Sequence, residues 1–109
     1  MTALDDLRAA AKLLRERAEA ASKGPWVAHT DGLVWPPRLG DPVSGSTETE
    51  DADYIATVHP CVGLAVAAWL DLVADLWVPK RDVVHYAARE QVQDAAVVVA
   101  RTILGRTDG

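Results

Sequence analysis

The chain has 109 residues, half of them hydrophobic and a quarter charged, the size and balance of one globular domain. Its formal net charge of −5 excludes the basic surface that non-specific DNA or RNA binding requires. The single cysteine excludes an intramolecular disulfide, and the longest apolar run, Cys61 to Leu70, is too short to span a bilayer.

The opening residues, Met-Thr-Ala-Leu-Asp-Asp, lack the basic-then-apolar order of a signal segment, so a soluble cytoplasmic protein is expected. There is no Phe, so a core must come from Ala, Val, Leu and four Trp.

Residues 3 to 22 predict an amphipathic helix, because Leu4, Leu7, Ala11, Leu14 and Ala18 recur at three- and four-residue spacing. Asp5 and Asp6 in the first turn complement the helix dipole. Gly24 and Pro25 stop it. Its apolar stripe is narrow, so this helix is expected to be the least buried element.

Residues 26 to 39 predict a β-hairpin, with Asp31-Gly32 as a two-residue turn. That register places Trp26, Ala28, Thr30, Leu33 and Trp35 on one face and Val27, His29 and Val34 on the other. Pro36-Pro37 ends the second strand, and Val43 opens a short third one.

Thr47 with Glu50 fits a capping box, with Thr49 as the competing cap, for a short helix over 50 to 58. Pro60 suits the first turn of the next helix, 60 to 77, which Pro79 ends. Val62, Val66, Trp69, Leu70, Val73 and Trp77 make one apolar stripe of it, and Leu64, Ala68, Leu72 and Leu76 a second. A helix apolar on so many sides is expected to be covered on most of them. Asp82 caps a last helix, 82 to 104, whose buried stripe is expected to be Val84, Ala88, Val92, Ala95, Val99 and Ile103. The fold class that follows is α+β, mostly helical: four helices, one of them short, with a small β-hairpin packed on the bundle.

Candidate chemistry is sparse. His29, His59, His85 and Cys61 are spaced unlike zinc ligands, so no metal site and no cofactor is expected. Cys61 falls in the first turn of a helix, which favours a thiolate, but its apolar neighbours point to a buried thiol and a capping His59. Glu48, Glu50, Asp51 and Asp53 imitate phosphates in one reading and are ordinary acids of a helix N-terminus in the other. No glycine-rich phosphate loop occurs. The helix after the His59-Pro60 break carries Ala, Val, Leu and Trp, which cannot read DNA bases as a recognition helix does.

Several segments together resemble a group of small proteins from actinobacteria and their phages. They are Gly24-Pro25-Trp26, Asp51-Ala52-Asp53-Tyr54-Ile55-Ala56, His59-Pro60, Leu64 to Leu70 and the closing stretch Ala95 to Gly105. The middle segment is similar to Ead-like accessory proteins of phages. The resemblance implies an accessory phage or prophage protein and brings no reaction or functional residue with it.

The function expected is therefore non-enzymatic binding of a host protein in the cytoplasm. The alternatives are a small enzyme using His59, Cys61 or Asp51, and an acidic nucleic-acid mimic. A homodimer is expected, because helices 60 to 77 and 82 to 104 carry more apolar faces than one copy covers. The expected partner surface is Trp35, Arg38, Trp77, Lys80 and Arg81. In both clusters a rigid aromatic stands beside prolines and cations, and Trp and Arg are frequent interface anchors.

Overall fold

The structure, a computed structural model, describes residues 2–37, 41–43 and 49–106. The elements are α1 (Ala3–Ala20), β1 (Val27–Ala28), β2 (Val34–Trp35), α2 (Thr49–Thr57), α3 (Pro60–Asp75) and α4 (Val83–Ile103). Among the described residues, four helices and one antiparallel hairpin are thus the mostly helical α+β fold that the pattern predicts. The chain divides into two compact units: a helical unit of residues 1–14 and 66–109, and a hairpin unit of residues 15–65. α1 and α3 each contribute to both.

In the helical unit, Leu7, Ala10 and Ala11 of α1, Ala67, Leu70 and Ala74 of α3, and Ala96, Val97 and Ala100 of α4 form one buried cluster. Alanines supply most of it, so the helix backbones approach closely. Trp77, Val66, Val73, Val99 and Ile103 pack at its edge.

α1 is held from both sides by charge. Its Arg8 donates to Asp75 of α3 at 2.8 Å and lies 3.6 Å from Asp71. Its Asp6, almost wholly buried, accepts from Arg101 of α4 at 3.0 Å and from Arg106 at 2.6 Å. Thr2 and Asp5 exchange side-chain-to-backbone hydrogen bonds, a capping box with Asp in the place of Glu.

α4 starts at the predicted cap, where Asp82 accepts from the backbone of His85. It ends at Gly105, whose φ of 71° needs no Cβ. There Gly105 N donates to Thr102 O and Arg106 N to Arg101 O, a Schellman pair.

Three expectations for these helices are overturned. α1 is not the least buried element: four of its residues are buried, against Ala52 alone in α2. Asp6 sits inside because two arginines satisfy it, which widens the stripe. The α4 stripe is one step round from the one expected. Gln93, Ala96, Val97 and Ala100 are buried; of the expected stripe Val99 and Ile103 pack against the core, whereas Val84 is 78% and Val92 59% exposed, and Ala88 and Ala95 are exposed. The reason is polar: Gln93 has a partner inside and Arg101 reaches Asp6, which sets the rotation of the helix. α3 is also less covered than its composition implies, since Trp69, Leu72 and Leu76 are exposed.

In the hairpin unit α2 packs on both strands. The pairs are Val27 with Trp35 and Ala28 with Val34, so the turn holds three residues, Thr30 to Gly32, and not two. Gly32 N donates to His29 O, Gly32 takes φ 83°, and Asp31 accepts from Leu33 N at 2.9 Å. This is a type I turn closed by a left-handed glycine, the other hairpin an Asp-Gly pair serves. The one-residue slip exchanges the predicted faces. Val34 is buried opposite Ala28, while Trp35 shares its face with Val27 and lies tilted against His29 at 6.0 Å. Val43 joins by one bond, its N–H to Val34 O at 2.7 Å, without forming a strand. The predicted cap Thr47 lies outside the described residues.

Among the described residues no single helix is long and apolar enough to cross a membrane. α2 and α3 reach that mark only as a pair, bent by 47° at the break between them.

Candidate functional site

In the helical unit an apolar surface is open to water. Trp69, Leu72, Val73 and Leu76 of α3 and Arg89, Val92 and Gln93 of α4 line an open groove of about 200 Å³. Its walls are apolar almost throughout. Trp69 is 38%, Leu72 54% and Leu76 53% exposed. Such surface costs free energy in water, roughly in proportion to its area.

The ion pairs explain why this side stays open. At about 100° per residue, Asp71 and Asp75 fall on one flank of α3 and Trp69, Val73 and Leu76 on the other, with Leu72 outermost. α1 is drawn to the first flank by Arg8. On α4, Arg101 points to α1 and Val92 falls about half a turn away. α1 therefore covers one side of the α3–α4 pair, and no described element of the helical unit covers the other.

The connector between the two helices is pinned. Gln93, 2% exposed, accepts from Val78 N at 2.7 Å and donates to Val78 O at 3.1 Å. Arg89 donates to Leu76 O at 3.2 Å, a cation at the C-terminal end of α3. Sequence reasoning missed Gln93. The one available signal was a polar residue amid the apolar positions Val92, Ala96 and Val97.

Of the predicted partner residues, Lys80 and Arg81 are exposed on this connector, a few positions along the chain from the groove's Leu76. Trp77 is half-buried and packs against the core, so it serves the fold. Trp35 belongs to the hairpin unit, half-buried, its indole N–H buried with no acceptor among the described residues. Arg38 lies outside the described residues.

The residues weighed for catalysis do not share one cleft, although the His59 ring and the Cys61 sulfur both lie against Gly24. Asp53 and His59 line a shallow, open depression with Trp26, Val27 and Thr57, and Asp51 and Cys61 are not part of its lining. His59 caps α3: its Nδ1 accepts from Cys61 N at 3.2 Å and its carbonyl accepts from Val62 N at 2.9 Å. That Nδ1 is thereby committed to the backbone. Gly24 lies against it so closely that an added Cβ would stand 2.7 Å from Nδ1 and 3.2 Å from the Cys61 sulfur. The thiol itself is exposed, not buried as its apolar neighbours suggest. It stands on the outer side of the first turn of α3, where Pro60 is the buried residue. Asp51 and Asp53 are exposed on α2, with Glu50 and Asp51 in its first turn, and Glu48 lies outside the described residues. Among the described residues no three His, Cys, Asp or Glu side chains are grouped as a metal site.

Compared with family models, curated proteins and solved structures, the chain gives no match.

Proposed function

We propose that the protein works by docking and not by catalysis, as a phage or prophage accessory protein that binds a host protein in the cytoplasm. The observation that carries the docking reading is the exposed apolar groove between α3 and α4, held open by a pinned connector. A rigid apolar surface of this kind binds without the reorganisation that flexible surfaces require. The setting rests on the resemblance of the Gly24–Trp26, Asp51–Ala56 and Leu64–Leu70 segments to actinobacterial phage proteins.

Lys80 and Arg81, exposed on the connector of an otherwise acidic chain, are the contact we assign to the host partner. An acidic patch would be steered to them, and the effect would fall with salt. The test is quantitative affinity capture from host lysate with wild type and with Lys80→Glu combined with Arg81→Glu. One host protein should be retained by wild type and reduced by about tenfold or more in the variant, a loss of about 1.4 kcal/mol. Equal retention by both forms, or no protein above control, overturns the assignment.

A further inference from the structure

We infer that the α3–α4 groove is filled by the same groove of a second copy, giving a twofold dimer whose interface is a four-helix layer. The inference rests on reading the groove as a docking surface and gives that surface to a second copy, leaving Lys80 and Arg81 on the connector as the host contact.

The first argument is periodicity. Trp69, Leu72 and Leu76 on α3 are spaced by three and four residues. Ala88, Val92, Ala95 and Val99 on α4 are spaced by four, three and four. This is the repeat by which helices pack side by side at a small crossing angle. Each helix thus carries two apolar rows, one spent on the internal core and one turned away from α1, the α4 row reaching the core's edge at Val99. A helical occupant that carries the same two-row pattern fits this surface.

The second argument is size. The α3 row is large, a Trp and two Leu. The α4 row is small, with Ala88 and Ala95 exposed between the valines. A twofold axis parallel to the two helices sets α3 of one copy on α4 of the other, and with that axis large residues meet small ones at both contacts. Interdigitation of that kind is what a packed interface needs. Neither row carries a charge, and Arg89, which lines the groove, donates to Leu76 O.

The third argument is area. Trp69, Leu72, Leu76 and Val92 keep between 38% and 59% of their surface in water. With the alanines between them they offer on the order of 500 Å² per copy, so a pair covers roughly 1,000 Å², the low end of what a specific interface needs. Lys80 and Arg81 lie on the connector, outside both rows, and each copy brings its own pair.

The experiment is sedimentation equilibrium of the full chain over a range of concentrations, with helical circular dichroism as the control for folding. Wild type should be a dimer. Leu72→Glu and Ala95→Arg, both at exposed positions, should keep their helix content and associate at least about 100-fold more weakly. Mixing the two variants one to one should restore a dimer. The carboxylate introduced by Leu72→Glu in one copy then faces the guanidinium introduced by Ala95→Arg in the other, while the second contact keeps its native residues. A monomeric wild type at about 100 μM, variants that remain dimeric, or a mixture that stays monomeric overturns the inference. If wild type is monomeric but Leu72→Glu loses a captured host protein, the groove holds another protein, and only the second-copy assignment falls. If neither association nor capture responds to Leu72→Glu, the docking reading of the groove falls as well.

Discussion

Two buried polar residues decide how the helical unit is put together. Gln93 spends its amide on both backbone groups of Val78. Gln93→Leu keeps the volume but leaves an N–H and a carbonyl without partners, and should cost about 1–3 kcal/mol in urea unfolding. An unchanged unfolding midpoint would show that water replaces the amide. Asp6 is the second. The Arg101 hydrogen bond, helped by the charges of Arg106 and Arg101, holds its carboxyl below the ordinary value, against the opposing effect of burial. A carboxyl that titrates lower folded than unfolded stabilises the fold above its unfolded value, about pH 3.9, and loses that contribution as pH falls through the folded value. Asp6→Asn should therefore be less stable than wild type near neutral pH, with the gap closing below about pH 4. Parallel stability curves for the two proteins would contradict this. Neither residue was legible in advance. A charge or an amide on a helix signals solvent by default, and the partners of Asp6 stand 95 and 100 residues away.

At the scale of elements, the helices were legible because their periodicity and their stops are local. Asp82, Pro60 and Gly105 punctuate α3 and α4 as their chemistry requires. Which face turns inward was not legible where a helix has two apolar rows. In α4 the row of Val84, Ala88 and Val92 is as regular as the row that is buried, and only Gln93 and Arg101 break the tie. The hairpin failed in the same way: Asp31-Gly32 suits two turn types whose registers differ by one residue. The rank of α1 tests the corrected picture. Leu7→Ala in α1 should cost about 2–5 kcal/mol, as a fully buried leucine does. Tyr54→Ala in α2, where the ring is 69% exposed, should stay within about 0.5 kcal/mol. Comparable losses at the two sites would mean that α2 carries more of the core than its burial implies.

For the whole molecule, charge and cysteine content bounded the class of protein, and the groove was foreshadowed by the surplus of apolar positions on α3 and α4. The place of the open face was not. It depends on where α1 settles, and α1 is placed by Arg8 and Asp6 acting on groups far along the chain. The division into two units was equally hidden, since α1 and α3 run unbroken through both. The candidate site was legible only in part: Lys80 and Arg81 are exposed on the connector, but the aromatic expected beside them, Trp77, packs into the core.

The discontinuity of the helical unit has a consequence for how the protein is made. Its α1 strip is read before the hairpin unit, and the Arg101 and Arg106 side chains that hold that strip are read about 100 residues later. At translation rates of about 5–20 residues per second, Asp6 waits on the order of 5–20 s for its arginines. During that interval Leu7, Ala10 and Ala11 have no partners from α4, while the hairpin unit, being contiguous, has all its residues available. The nascent chain thus carries Leu7, Ala10 and Ala11 with only α3 to cover them until synthesis passes Arg106.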